Sequence, residues 1–213
     1  MPTVFPAFDV TSGGGRTVPG PSWTNIGTGP MTFRVVASDN RFYVDPVAGT
    51  TMPEQTTHII VTGYAPTDSS SAGVPITATL TVTSNLPDSP HLIQVSTIPI
   101  GGHVTIEPPS LAFGTVVVPQ SEERIAMVRN DGNWDVSVRI ERYPYPAPFT
   151  GAFGSSGTVV IPENSTAPVS FLFGGSNAAL GTHETSTVVT VSGPRLCGVQ
   201  PTALGLSGTG VSQ

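Results

Sequence analysis

The sequence repeats itself: short segments of its first half recur, in the same order, in its second half. Asn25-Ile26-Gly27 returns as Asn130-Asp131-Gly132, and Met52-Pro53-Glu54 returns as Ile161-Pro162-Glu163, at offsets of 105 and 109 residues. Self-similarity of this kind indicates a repeated structural unit, and the small drift reflects loops of different length. The repeat therefore predicts two similar modules in tandem, each occupying about half of the chain.

The composition favours strands and tight turns in both modules. Of the 213 residues only 10% are charged, hydrophobic residues reach 38%, and glycine and proline number 24 and 22. Abundant valine and threonine suit strands, and glycine, proline and serine suit the turns between them. We predict an N-terminal piece at residues 1–15 and two domains at residues 16–102 and 103–213, joined near Gly101-Gly102.

Alternating apolar and polar residues recur in short runs along both halves. Clear examples are residues 32–36 and 76–82 in the first half, and residues 136–141 and 186–191 in the second. Several short strands separated by turn residues indicate an antiparallel sandwich, and no segment keeps a helical period. The predicted fold class is all-β, with two tandem immunoglobulin-like antiparallel β-sandwiches.

Residues 1–15 form a distinct piece with two open interpretations. Phe5 and Phe8 lie among prolines, and Ser12-Gly13-Gly14-Gly15 follows as a flexible stretch. The segment is either the first strand of the first domain or an arm. In the second case its two phenylalanines anchor in a neighbouring molecule.

A proline-stiffened aromatic segment, residues 142–149, is the other candidate contact region. It carries Tyr143, Tyr145 and Phe149. Aromatic side chains supply contact area at low entropic cost, and prolines lower the ordering penalty. We consider these three residues, with Phe5 and Phe8, as a candidate interface. The alternative is a crossover between sheets whose aromatics fold into the rim of the core.

Four short segments of the second half form a recognisable set. They are Phe113-Gly114-Thr115-Val116, Asn130-Asp131-Gly132, Ile161-Pro162-Glu163-Asn164-Ser165 and Gly208-Thr209-Gly210. With these segments, residues 104–210 resemble the Hydin-type (ASH) immunoglobulin-like domain, a family related to the major sperm protein fold, and the first half is similar in a degenerate form. Glu163 and Glu54 stand where the family usually has glycine after proline. The resemblance implies a binding or scaffold module without catalytic chemistry.

The polar residues do not form a recognisable catalytic or metal motif. The histidines, at positions 58, 91, 103 and 183, are isolated, so neither a metal site nor a cofactor is expected. Cys197, the single cysteine, is expected to be a small buried hydrophobic residue. A net charge of −6 without lysine argues against nucleic acid, and no apolar run is long enough to cross a membrane.

These observations favour a non-enzymatic structural protein that acts through protein–protein contacts within an oligomeric assembly. We expect a virion component, such as a phage capsid decoration or tail protein, whose arm and Tyr143–Tyr145 segment contact capsid, tail or other subunits. The start of the sequence shows no secretory signal pattern. A module without such a signal suits a location in the virion. The alternative is an extracellular or cell-surface location, with a signal that has been removed. The alternative function is a surface adhesion or carbohydrate-binding module.

Overall fold

Strands and turns make up the regular structure of the chain in the computed structural model. The structure describes residues 3–67, 70–141, 148–152, 157–175 and 180–213. The chain divides into two units, Met1–Ile100 and Gly101–Gln213. Within the described ranges no helix is long and apolar enough to span a membrane. The predicted all-β fold class is confirmed.

Unit 1 is a sandwich of two sheets. The first sheet has the order β1-β9-β8-β4-β6, with β2 also paired to β9, and the second has the order β3-β7-β5. The strands are β1 (Thr3–Val4), β2 (Phe8–Thr11), β3 (Gly14–Thr24), β4 (Met31–Ala37), β5 (Phe42–Asp45), β6 (Ala48–Thr51), β7 (Thr56–Ala65), β8 (Ile76–Ser84) and β9 (His91–Ile100).

The core of unit 1 follows from strand alternation. Phe33 and Val35 of β4 point inward, as do Leu80 and Val82 of β8, while their chain neighbours face outward. Successive side chains of a strand point to opposite faces, so a period of two in the sequence places one apolar set between the sheets. This period is the feature from which the strands were predicted.

The N-terminal segment belongs to unit 1 as strand, which corrects the arm hypothesis. β1 and β2 both pair with β9 in parallel, with Phe8 opposite Thr97. Phe8 lies in the core at 9% exposure, and Phe5 packs against that core. A Cβ on Gly63 would lie 3.1 Å from the Phe8 ring, so the backbone of β7 approaches that ring closely. These parallel pairs also depart from a purely antiparallel sandwich.

Unit 2 is a second sandwich. One sheet has the order β10-β12-β16-β14 and the other β11-β18-β17-β13-β15. The strands are β10 (Val104–Glu107), β11 (Ser110–Val117), β12 (Ser121–Asn130), β13 (Val136–Ile140), β14 (Phe149–Ala152), β15 (Thr158–Ile161), β16 (Ser165–Gly174), β17 (Gly181–Ser192) and β18 (Ala203–Val211).

Three phenylalanines from different strands form part of the core of unit 2. The ring centroids of Phe149 and Phe173 are 4.8 Å apart, and Phe113 lies 5.6 and 5.8 Å from them. Tilted aromatic pairs at these separations add to the energy of burial. Cys197 is fully buried, as predicted from the sequence.

The two units share one strand order. β3-β7-β5 of unit 1 corresponds to β12-β16-β14 of unit 2, and β9-β8-β4-β6 corresponds to β18-β17-β13-β15. The parallel pairing of β2 with β9 corresponds to that of β11 with β18. Among the described strands, β10 alone has no counterpart in unit 1.

Candidate interaction surfaces

The repeated Asn-x-Gly motif is a structural device built on a buried asparagine. In unit 2 the Asn130 side-chain amide donates to the carbonyl oxygens of Trp134, Ile161 and Pro162 at 2.9–3.1 Å. Its Oδ1 accepts from the Gly132 backbone N–H at 3.1 Å. Because a buried polar group is costly unless it is hydrogen-bonded, this network explains why asparagine stands here.

Unit 1 contains the same device. The Asn25 side-chain amide donates to the carbonyl oxygens of Gly29 and Thr51 at 2.8 and 2.9 Å, and its Oδ1 accepts from the Gly27 N–H at 3.0 Å. Each asparagine thus ties its own turn to the end of a strand on the neighbouring sheet. The repeat detected in the sequence is therefore a fold determinant.

The structure shifts the alignment of the second repeated segment by one residue. The sequence match placed Glu54 opposite Glu163, whereas the structure places Glu54 opposite Asn164. Glu54 and Asn164 both have left-handed backbones, with φ of 65° and 53°. Asn25 donates to the carbonyl of Thr51, and Asn130 donates to the carbonyl of Ile161. Thr51 therefore corresponds to Ile161, which gives the same shift of one residue. The left-handed position of this turn thus tolerates asparagine in one unit and carries glutamate in the other.

The outer face of the four-stranded sheet in unit 2 carries an apolar patch. Ile125 and Met127 of β12 and Leu172 of β16 are 53%, 42% and 43% exposed. Met127 lies opposite Pro168, and Ile125 lies opposite Ser170 with Pro168 and Leu172 as its diagonal neighbours. Side chains in these register positions are within contact distance across strands. We call Ile125, Met127, Pro168 and Leu172 the outer patch.

Charged residues border the outer patch. Glu123 lies opposite Leu172, and Arg129 lies opposite Thr166. An apolar centre with a charged rim is the usual anatomy of a protein–protein interface.

The matching outer face of unit 1 carries two exposed tyrosines. Tyr43 of β5 lies opposite Thr62 of β7, and Tyr64 is the next outward residue along β7. A Cβ on Gly15 would lie 2.6 Å from the Tyr64 ring, which therefore lies over the bare backbone of β3. Ile60, also exposed, extends this face along the same strand.

Some of the charged groups among the described residues form pairs. Asp39 accepts from Arg41 through both carboxylate oxygens, at 2.6–3.1 Å, and this hydrogen bonding lowers the pKa of Asp39 and raises the pKa of Arg41. His103 Nδ1 lies 2.6 Å from Asp131 Oδ1. Within the described ranges, no group of three or more His, Cys, Asp or Glu residues could hold a metal ion.

The five residues predicted as an interface are not brought together. Phe8 and Phe149 are core residues of their own units, at 9% and 1% exposure, so both are corrected from candidate contacts to structural residues. Phe5 is half-buried against the core of unit 1. Tyr143 and Tyr145 lie outside the described residues.

The outer patch was missed in the sequence, although a signal for it exists. Residues 125–128 read Ile-Ala-Met-Val and residues 171–173 read Phe-Leu-Phe, with no polar residue at the outward positions. An antiparallel strand with one solvated face normally alternates apolar and polar residues. An uninterrupted apolar run within such a strand therefore indicates that its outward face is apolar too.

Some solved structures are similar to this chain, at low sequence identity. The chain matches no protein-family model and no curated protein. Similar solved structures include a protein of unknown function from Porphyromonas gingivalis W83, with a TM-score of 0.38, 11% identity and coverage of 98% of this chain and 96% of that one.

Two smaller domains are also similar to part of the chain. The ASH/PapD-like domain 7 of human CEP192 has a TM-score of 0.42 and 16% identity, over 52% of this chain and 86% of that one. SSP-19, an MSP-domain protein of Caenorhabditis elegans, has a TM-score of 0.30 and 18% identity, over 44% and 92%. These neighbours are immunoglobulin-like domains, and at such identities and TM-scores they carry no inference about activity or partners.

Proposed function

We propose that the chain is a non-enzymatic structural protein that works by binding other proteins within an assembly. The outer patch is the observation that carries this proposal. It places three large apolar side chains, each close to half exposed, side by side on a sheet face. Contiguous exposed apolar surface with a polar border is typical of protein interaction sites.

The outer patch would supply part of the free energy of a specific contact. Full burial of an Ile, Leu or Met side chain stabilises by about 1.5–3 kcal/mol, so burying the exposed half of each contributes about 1 kcal/mol. Ile125, Met127 and Leu172 together would then supply about 3 kcal/mol at the centre of an interface. The bordering charges Glu123 and Arg129 would select the partner by complementary charge.

We further propose that the assembly is a virion, with the chain as a capsid decoration or tail protein. The low charged fraction, the lack of lysine and the resemblance of residues 104–210 to an ASH-type scaffold module support this proposal. Tyr143 and Tyr145 remain proposed contacts. The proposed location is the virion, or otherwise an extracellular or cell-surface assembly.

The test replaces the centre of the outer patch in the native gene. The double variant Ile125→Glu with Met127→Glu is expected to fold normally, because both side chains face outward, and to be lost from purified particles. Mass spectrometry of the particles measures incorporation, and thermal unfolding of the isolated chain measures folding. The double variant Val160→Glu with Val188→Glu, which adds the same two charges at exposed positions of the other sheet of unit 2, is the matched control and should be incorporated.

Two results would contradict the proposal. If the outer-patch variant is incorporated as well as the wild-type chain, the outer patch is not a contact surface. If purified particles never contain the wild-type chain, the virion assignment is wrong, and cross-linking of the patch in native extracts decides whether another assembly binds it.

A surface adhesion or carbohydrate-binding module is the second candidate, favoured by the paired tyrosines of unit 1. Tyr43 and Tyr64 present two rings on one flat sheet face, where an apolar sugar face can stack. A glycan array probed with the wild-type chain and with Tyr43→Ala plus Tyr64→Ala tests this candidate. Glycan binding that persists in the double variant counts against this candidate. So does a lack of glycan binding by the wild-type chain.

A further inference from the structure

Strand β10 of unit 2 covers one edge of its sheet. It pairs with β12 in antiparallel register, from Val104 opposite Asn130 to Glu107 opposite Met127. Val104 and Ile106 point inward and join the core. β10 therefore closes a backbone edge and also contributes apolar side chains.

The corresponding edge of unit 1 is open. When Asn25 is aligned with Asn130, residues 22–25 correspond to residues 127–130, the stretch of unit 2 that pairs with β10. Among the described strands, however, only β7 pairs with β3. The Asn25 N–H donates to Gln55 O, so Asn25 faces β7. Backbone groups alternate in direction along an antiparallel strand, so those of Ser22 and Thr24 point away from β7, toward the open edge.

The turn at the end of this edge also lacks partners that unit 2 has. In unit 2 the His103 N–H donates to Asn130 Oδ1, and the Asp131 N–H donates to His103 O. In unit 1, Asn25 Oδ1 accepts only from Gly27 among the described residues. Ile26, the counterpart of Asp131, is 95% exposed.

Prolines protect the part of β3 directly before this stretch, but not the stretch itself. Pro19 and Pro21 precede Ser22, and proline cannot donate to an added strand, which is a common protection of sheet edges. The protected part ends where the counterpart of the β10-paired stretch begins. A sheet edge without such protection can pair with another strand. The stretch Ser22–Thr24, which has no proline, is therefore a site where pairing is tolerated.

Two aromatic side chains lie on the core side of this edge. Trp23 and Phe33 stand where unit 2 has Val128 and Val138, and their rings meet edge to face at 4.8 Å. The Trp23 Nε1 is buried without a hydrogen-bond partner among the described atoms. A strand added at this edge would thus place its counterpart of Ile106 opposite Trp23, which is only partly buried.

We propose that the edge of β3 from Ser22 to Ile26 binds an extended segment of a separate protein chain. The segment runs antiparallel to β3 and carries apolar residues at the second and fourth of five positions, as His103-Val104-Thr105-Ile106-Glu107 does in unit 2. Addition of a strand to an exposed edge is an established mode of peptide recognition. The inference rests on the proposed function, because it assigns a partner segment to unit 1.

The test measures binding of a labelled peptide with the sequence of residues 101–109 to the full chain by fluorescence anisotropy. We expect saturable binding, and at least about tenfold weaker binding to Thr24→Pro, which removes an outward N–H. Thr24→Ala loses the same hydroxyl but keeps that N–H, and should bind as the wild type does. A peptide with valine and isoleucine shifted by one position should not bind.

Peptide variants keep the test decisive if Thr24→Pro does not fold. N-methylation at the residue equivalent to Thr105, whose N–H faces the edge, should abolish binding to the wild-type chain. N-methylation at the residue equivalent to Ile106, whose N–H faces away, should preserve binding. Hydrogen exchange should show new protection at residues 22–26.

Several results would overturn the inference. They are no binding at a peptide concentration of about 1 mM, equal binding of the shifted peptide, or equal effects of the two N-methyl groups. A dimer of the wild-type chain that Thr24→Pro dissociates would assign the edge to a second copy instead. Particle incorporation of the outer-patch variant reports on the proposed function separately, because that patch lies in unit 2.

Discussion

Replacing Asn130 with alanine removes the side chain that joins three backbone segments of unit 2. The amide has two N–H donors shared among the carbonyls of Trp134, Ile161 and Pro162, and Oδ1 accepts from the N–H groups of Gly132 and His103. Asn130 is fully buried, so water cannot take over these bonds without opening the structure.

The expected loss of stability follows from the bonds that the amide can make. Two donors and two accepting lone pairs, at a net value near 1 kcal/mol each, predict that Asn130→Ala lowers the free energy of unfolding by about 4 kcal/mol. For a unit of this size that corresponds to a fall in Tm of roughly 15 °C. Asn25→Ala should cost less, about 3 kcal/mol, because Asn25 Oδ1 has one accepted bond fewer.

Urea unfolding of the full chain measures these losses, and hydrogen exchange assigns each loss to its unit. Asn130→Asp is the matched control, since it keeps the shape and the accepting oxygen but replaces the donors by a carboxylate oxygen. It should be at least as destabilising as alanine at neutral pH. A loss below about 1 kcal/mol for Asn130→Ala, or wild-type stability of Asn130→Asp, would refute the hydrogen-bond argument.

Three further predictions concern other positions. Glu54→Asn should raise the free energy of unfolding by about 0.5–1 kcal/mol in urea titrations, because asparagine tolerates the left-handed backbone that Asn164 adopts in unit 2; an unchanged or lower value contradicts this. Phe8→Ala should destabilise the isolated chain by about 3–5 kcal/mol, whereas an arm anchored in a neighbour would leave its Tm unchanged. Asp39→Asn should cost about 0.5–1 kcal/mol at neutral pH, since Arg41 lowers the pKa of Asp39 and the pair is partly exposed. That difference should shrink as the pH falls below the ordinary value of 3.8 and through the lowered pKa; a difference that is constant with pH is the contrary result.

The repeat in the sequence was a good guide to the fold and a poor guide to the interface. It identified Asn25 and Asn130 as members of a recurring pattern. Only their hydrogen bonds in the structure explain why the pattern recurs. Phe149 was considered a contact because it follows a proline-rich segment. Its ring instead packs on Phe173, which lies in a distant strand that no local pattern could nominate.

The N-terminal segment shows why the sequence alone could not distinguish a strand of unit 1 from an arm. Phe5 and Phe8 fit a strand and an arm equally well, because a strand pattern does not specify its partner. Phe8 pairs in register with Thr97 at the other end of unit 1. The open edge of β3 was likewise invisible in the sequence, since it depends on which strands are neighbours.

By itself, the sequence determined where strands and turns form and which side of most strands is buried, because alternation and turn residues act over a few positions. It also determined that two similar units exist. Only the tertiary structure decided which strands are neighbours and that β1 and β2 complete unit 1. It also decided that, among the described strands, β3 has no partner at the edge where β12 has β10. Strand pairing joins residues far apart in the chain, and the free energy that selects one pairing belongs to the packed core as a whole.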